Sequence, residues 1–275
     1  MKGWLIYKEA DRLRNDAFIR LLQQASERRG IELEVVTYEE MIYSVSGGTT
    51  LFGHEENPDF LIIRTCTPWL NEAAELHGIR AFNSSRFSRT ANDKRLSHAF
   101  LSSLSVPMLP STAVHQRRLS SLSPSYPLIL KDPLGRGGTG VDWVARPQQL
   151  GAMSTDDELL MQPVGGQRGR DVRVYIVGGD IVAAVVRESE TNFKANISGG
   201  ASASLYRLSE ADKTLIQKVT LAMPIDFAGI DFLIADDGSL LFNEMEDAVG
   251  CRSLYDQSAI DIADVFIGHV AEELR

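Results

Sequence analysis

Two groups of residues in this chain have the types and spacing to handle a phosphorylated ligand. The first is Gly135-Arg136-Gly137-Gly138-Thr139-Gly140, a G-x-G-x-x-G pattern behind the apolar run Leu128-Ile129-Leu130-Lys131. In a dinucleotide-binding fold that fingerprint must open a helix, whose first amides receive the pyrophosphate. Here Val141-Asp142-Trp143-Val144-Ala145 follows, alternating and β-branched, which predicts another strand. The glycines therefore join two strands of a hairpin. Such a hairpin can still lay bare N–H groups on phosphates, and Lys131 enters it from a strand end that faces them. A flexible hairpin with a surface lysine is the alternative that the loop alone leaves open.

The second group is acidic. Gly229 to Ala235 and Ser239 to Glu246 flank Asp236-Asp237-Gly238, a strong hairpin signal. With Asp237-Gly238 as a two-residue turn, Asp236 pairs with Ser239 and Asp231 lies opposite Glu244, with Glu246 further along the same face. Three carboxylates on one patch of sheet repel one another, so something positive should sit there. Oxygen ligands without His or Cys suit a hard divalent cation, Mg²⁺ above all, with Mn²⁺ an acceptable substitute. A solvated acidic edge is the competing reading, and a three-residue loop would shift the register and split the trio.

Both groups need a frame. Trp4 to Tyr7 and Glu32 to Thr37 read as strands around an amphipathic helix, Asp16 to Arg29, closed by Gly30, which makes a β-α-β unit. A polar loop spans Ser44 to Asn57. Asp59 to Arg64 is a short buried strand, and a helix near Leu70 to His77 precedes Arg80-Ala81-Phe82-Asn83. Residues 1–90 thus form a small α/β domain. A helix from about Asn92 to Leu104 leads into a serine- and proline-rich passage that marks a boundary. The glycine hairpin, a short helix near Pro147 to Ala152 and a strand from Glu158 to Gln162 belong to a second unit, residues 91–165. From Asp171 hairpins dominate until a final helix, Ile260 to Leu274, within a third unit, residues 166–275.

Composition narrows the function. At 275 residues, with 44% hydrophobic and 24% charged content, the chain can bury a large core. A formal net charge of −9 argues against nucleic acid as a partner, since gripping phosphate backbones needs clustered cationic surface. Cys66 and Cys251 lie far apart, so reduced thiols in the cytoplasm are the simplest reading. No 18-residue apolar run and no signal-peptide core appear, which predicts a cytoplasmic chain without a membrane span.

A lysine-led glycine loop for phosphates and a later carboxylate hairpin for Mg²⁺ together point to ATP. At this point the chain resembles the ATP-grasp ligases, in particular the branch holding the ribosomal-protein glutamate ligase RimK and the lysine-biosynthesis ligase LysX. The resemblance runs over nearly the full length. Its motifs come in order: Asn92-Asp93-Lys94 ahead of a helix, Lys131 with its glycine loop, and Leu159-Leu160-Met161-Gln162-Pro163-Val164. Gly169-Arg170-Asp171-Val172-Arg173-Val174, Asn192-Phe193-Lys194-Ala195-Asn196 before Gly199-Gly200, and Asn243-Glu244-Met245-Glu246 follow.

The resemblance implies an α+β ATP-grasp fold, an N-terminal α/β domain ahead of two subdomains that grip ATP between them. It assigns Lys94 and Lys131, with Gly137, Gly138 and Thr139 of the loop, to ATP phosphates, and Gln162, Pro163 and Val164 to the adenine hinge. Asp171 would hold the ribose side, and Lys194 and Asn196 would face the triphosphate. Arg173 and Arg187 would stabilise transferring phosphoryl charge or an acidic substrate. Asp231, Glu244 and Glu246 would bind Mg²⁺. Two positions depart from the branch: Glu246 stands where Asn usually supplies the third metal ligand, and Pro163 stands where the hinge commonly has Glu. Lacking an N–H, Pro163 leaves the adenine contact to carbonyls and the Val164 N–H.

Single residues carry further expectations. Arg187 shares a face with Arg173 if the Gly178-Gly179-Asp180 turn is a three-residue loop, and not if it is a two-residue one. Arg64 closes a buried strand, where α/β folds place ligands, and is a substrate-site candidate against a surface salt bridge. Cys66 reads as a small buried or rim residue, and Trp143 as core. The expected activity is an ATP-dependent carboxylate–amine or carboxylate–thiol ligase acting through an acyl phosphate, with the glycine hairpin as lid. Small-molecule or peptide acids and amines are its expected partners, and association of identical copies is allowed. A small-molecule kinase on the same ATP site and a non-catalytic ATP sensor are the alternatives. A nicotinamide oxidoreductase fits least.

Overall fold

A computed structural model describes residues 1–46, 49–51, 57–152, 158–189 and 202–275. Strand β1 (Lys2–Tyr7), helices α1 (Glu9–Arg14) and α2 (Asp16–Glu27) and strand β2 (Glu32–Thr37) open the chain. α2 forms because its apolar residues recur at helical spacing, burying Ile19, Leu22 and Ala25. It stops where Gly30 turns left-handed, φ +67°, and the Ile31 N–H closes back on the Ser26 carbonyl at 3.0 Å. Within the stretch expected to be loop, β3 (Ser44–Ser46) and β4 (Thr49–Leu51) pair antiparallel. β5 (Phe60–Ile63), α3 (Pro68–Leu76) and β6 (Arg80–Phe82) complete a parallel sheet of order β2-β1-β5-β6.

The serine-rich stretch hides a helix that sequence patterning did not reveal, α4 (Ser85–Ala91), whose cap Ser84 accepts from the Phe87 N–H at 3.3 Å. Asp93 caps α5 (Lys94–Ser103), accepting from the Arg95 N–H at 2.9 Å, so Lys94 is the first helical residue. Then come β7 (Thr112–His115), α6 (Gln116–Leu119), β8 (Leu128–Lys131), β9 (Val141–Val144), a 3-10 helix over Pro147–Ala152 and β10 (Glu158–Pro163). The four strands form an antiparallel sheet of order β7-β10-β8-β9. The glycine pattern does join two strands, with Lys131 opposite Val141.

The third sheet, of order β13-β12-β11-β14-β15, is antiparallel and built from β11 (Arg170–Val177), β12 (Asp180–Glu188), β13 (Ser202–Leu205), β14 (Phe227–Ile234) and β15 (Leu240–Glu246). Hairpins do not fill this region as expected. α7 (Glu210–Ala222) precedes β14, and α8 (Arg252–Gln257) precedes the final α9 (Ile262–Glu273). The signal for α7 is a capping box, Ser209 and Asp212 each accepting from the other's N–H.

Alternation along these strands separates two cores. Val172, Val174, Ile230 and Phe232 face Phe87, Leu101 and the α7 residues Ile216 and Val219. Leu101 and Val106, expected in the second unit, pack in this core instead. On the other side Tyr175, Val177 and Phe227 pack with Leu22 of α2 and Phe266 of α9, which welds the N-terminal sheet to the third one. Among the described residues no helix is long and apolar enough to cross a membrane.

Candidate active site

Two irregularities decide which side chains meet on the third sheet. Gly178 and Gly179, both with positive φ (+59° and +83°), form a two-residue turn that sets Val177 opposite Asp180. Continued unbroken, that register would separate Arg187 from Arg173. An extra residue in β12 beside Tyr175 and Ile176 shifts it by one, so Val185 faces Arg173 and Arg187 faces Asp171. The two arginines share a face despite the two-residue turn.

The acidic hairpin shows the converse. Its loop is three residues, not two: the Ala235 N–H meets the Ser239 carbonyl at 2.8 Å, Gly238 has φ +85°, and Phe232 pairs with Phe242. By itself that loop would split the trio. Asn243 is a bulge that restores the register, so Asp231 faces Glu244 and Gly229 faces Glu246. A signal for it exists in the apolar pattern, because Leu240 and Phe242 keep a period of two and the next buried apolar residue, Met245, falls three later.

On the resulting face the charges interlock. Arg187 grips Asp171 through two bonds of 2.6 and 2.8 Å and adds a third to Asp231 at 2.7 Å. Arg173 grips Asp231 at 2.7 and 2.6 Å and reaches Glu246 at 2.6 Å. The positive partner that repulsion demands is thus supplied by arginine, where the sequence argument expected metal alone. Arg187, only 4% exposed, is no loose strand-end charge. Burial pushes the Asp231 carboxyl up, yet the two guanidinium groups overcome it and hold it at about 2. Burial raises Glu246, opposed by Arg173 and reinforced by Asp231 and Glu244.

A metal still fits the donors. Carboxylate oxygens of Asp231, Glu244 and Glu246 lie within 4.8 Å of one another, an all-oxygen set suited to a hard divalent ion, and Glu244 meets Lys94 Nζ at 3.4 Å.

Between the second and third sheets lies a cleft of about 1040 Å³, counting the open space at its mouth. Lys94, Lys131, Gly138, Thr139, Gln162, Val164 and Asp171 line it, as does Glu244. Gly137 and Pro163 are exposed beside these walls, while Lys194 and Asn196 lie outside the described residues. Lys131 is not a surface lysine: it is 7% exposed, and its Nζ donates to Asn243 Oδ1 at 2.7 Å. Burial lowers its pKa to about 8, against the pull of Glu244. Lys94 Nζ donates to the Gly135 carbonyl at 2.5 Å, tying the glycine hairpin to α5. Apolar walls come from Leu109, Ile129 and Leu233, which sequence reasoning missed. Trp143, expected in the core, also lines the cleft, with the Arg168 guanidinium 5.7 Å from its ring centre.

Arg64 is placed elsewhere. Its Nη2 donates to the Val249 carbonyl at 2.5 Å, and its guanidinium lies 5.0 Å from the Phe227 ring and 5.5 Å from that of Phe18. It is a buried clamp between the N-terminal and third sheets, neither a wall of the cleft nor a surface salt bridge. Cys66, partly exposed, donates to Asn92 Oδ1 at 3.2 Å.

This combination of parts has relatives. Residues 91–270 match the family model described as the RimK-like ATP-grasp domain. The chain belongs to that family. The chain is 32% identical, over 206 residues, to a probable alpha-L-glutamate ligase of Haemophilus ducreyi; the match covers 68% of this chain and 65% of the relative's length. It is 24% identical over 302 residues to beta-citrylglutamate synthase B of Mus musculus, covering 99% of this chain and 78% of that one. A RimK domain ATP-grasp protein from Sphaerobacter thermophilus superposes with a TM-score of 0.74 at 19% identity, over 100% of this chain and 99% of its own. That likeness is one of fold, the ATP-grasp α+β fold.

Proposed function

We propose that the chain is an ATP-dependent ligase that joins a carboxylate to an amine through an acyl phosphate, releasing ADP and phosphate. The observation that carries this is the convergence on one cleft of two buried lysines, Lys94 and Lys131, with Glu244, which belongs to a trio of carboxylates that can hold a metal. Bound MgATP would supply the phosphoryl group and the divalent charge. Lys94 and Lys131 bind the polyphosphate, Gln162 and the Val164 N–H orient the base, and Asp171 lies between. Asp231, Glu244 and Glu246 take the metal, while Arg173 holds Asp231 and Glu246 and Arg187 holds Asp231 in place, and both set positive charge beside the transferred group. The glycine hairpin, anchored by Lys94, closes over the site and keeps water out. The names of the relatives support glutamate or a similar amino acid as one substrate. Residues 1–90, 91–165 and 166–275 are the working division of this enzyme, with Leu101 and Val106 of the second unit packed in the core of the third, and the cytoplasm is its compartment.

Screening pairs of acids and amines for ADP release tests the reading. Full turnover should need both substrates, whereas a kinase needs only a hydroxyl acceptor and a sensor neither. Mg²⁺-dependent ADP formation should fall severely in Glu244→Gln and only partly in Glu246→Asn, which keeps a carbonyl ligand. The reverse order would sink the assignment of the trio.

A further inference from the structure

His98 has no role in the function proposed above, yet it is 4% exposed and sits behind the cleft, one turn along α5 from Lys94. Its Nε2 lies 3.1 Å from the main-chain carbonyl of Asn243, and its Nδ1 lies 2.9 Å from Ser111 Oγ. Ser111 Oγ accepts from Gln162 Nε2 at 2.8 Å and also lies 3.0 Å from the Leu109 carbonyl. At the other end, Asn243 Oδ1 receives Lys131 Nζ. A carbonyl can only accept, so Nε2 of His98 carries a proton toward Asn243. Burial, reinforced by Lys131, keeps the imidazole neutral, with a pKa of about 4.

The placement has a physical reason. Asn243 stands outside the ladder pairing of β14 and β15, so its partly buried carbonyl takes a donor from another element. His98 is that donor, and its ring is steadied edge-on by Phe242, 5.2 Å between centres. One hydrogen-bonded chain therefore runs behind the cleft from Gln162, through Ser111 and His98, to the bulge that fixes Lys131 and aims Glu244.

We propose that His98 is a positioning residue of this site, holding the Asn243 bulge in shape and coupling Gln162 at one end of the cleft to Lys131 and Glu244 at the other. The coupling rests on the nucleotide reading of the cleft; the hold on the bulge does not.

Three variants separate the parts of the chain. His98→Gln sets an amide N–H near the Nε2 position and keeps the donation to Asn243. His98→Asn reaches only the Nδ1 position and keeps the Ser111 end, and His98→Leu keeps bulk alone. Amide exchange of residues 242–245 in the nucleotide-free protein should speed up in His98→Leu and His98→Asn and stay near wild type in His98→Gln. Affinity for a non-hydrolysable ATP analogue with Mg²⁺, read by calorimetry, should fall about tenfold in His98→Leu and His98→Asn and much less in His98→Gln, as expected for one hydrogen bond. Equal exchange in all four proteins overturns the proposal, and so does a rise in all three variants alike, which marks packing alone. Failure of the wild type to bind the analogue overturns the nucleotide reading instead, and the exchange comparison still decides the hold on the bulge. If His98→Leu does not fold, the Gln and Asn variants carry the same contrast.

Discussion

Lys131 and Glu246 illustrate how neighbours reset a residue's chemistry. Glu246 adds a third carboxylate to the face of Asp231 and Glu244, and Arg173 Nη2 meets it at 2.6 Å. Arg173, Arg187, Lys94 and Lys131 face Asp171, Asp231, Glu244 and Glu246, so the formal charges already cancel, and a divalent ion gains most when it arrives with a polyphosphate. Lys131, with a pKa of about 8 in the nucleotide-free site, is pulled back up by a bound polyphosphate. The folded free protein then loses the Lys131 proton above about pH 8 while the complex keeps it, so affinity is level below that pH and falls above it. Calorimetry in buffers of different ionisation heat should detect proton uptake on binding near pH 9. Lys131→Met should weaken binding and remove that uptake; uptake that persists in the variant assigns it to another group.

At the scale of elements, the glycine hairpin and the two bulges control the geometry. Gly140 has φ +66°, and a Cβ there would come 2.6 Å from Asp132 Cβ, where the Asp132 N–H bonds the Gly140 carbonyl. Gly140→Ala should strain the hairpin by about 1–3 kcal/mol. We expect faster exchange over residues 132–140 and weaker nucleotide binding, with only a small fall in Tm because the core is untouched. Gly137, at φ +56°, has nothing within 4 Å of its would-be Cβ, so Gly137→Ala should cost less. Equal effects of the two substitutions on exchange would count against this account of the loop.

For the whole molecule, the contact between the N-terminal sheet and the third sheet is the critical joint. Asn83 spans it with four bonds: Oδ1 accepts from the Asp226 and Phe227 N–H groups at 2.8 Å each, and Nδ2 donates to the Phe227 carbonyl at 2.7 Å and to Asp247 Oδ1 at 2.8 Å. Asp247 also accepts from Ser88 Oγ at 2.6 Å and is the neighbour of Glu246. Asn83→Ala leaves buried partners unsatisfied and should lower stability by about 3 kcal/mol or more, read by denaturant or thermal unfolding. Nucleotide affinity should fall with it, since the strand carrying Glu244 and Glu246 loses a support. An unchanged Tm would show that the joint does not depend on this residue.

By itself the sequence determined that the glycines lie in a hairpin, that the third sheet carries an acidic hairpin, and that the motifs run in the order of an ATP-grasp chain. Each of these depends on periodicity or turn chemistry within a few residues. It did not determine α4 or α7, whose Ser84 and Ser209 caps lay among other serines and polar residues, nor that Arg64 is a clamp. Above all, only the tertiary structure decided the register of both hairpins. Loop lengths read as two or three residues gave the wrong turn in one case and would have separated the arginines in the other, and in each a bulge moved the charged residues onto one face. Asn243 shows the physical reason: its carbonyl is held by His98 on α5 and its side chain by Lys131 on β8, 145 and 112 residues away in sequence. No local window contains those partners, so the bulge exists only once the helix and both sheets have come together.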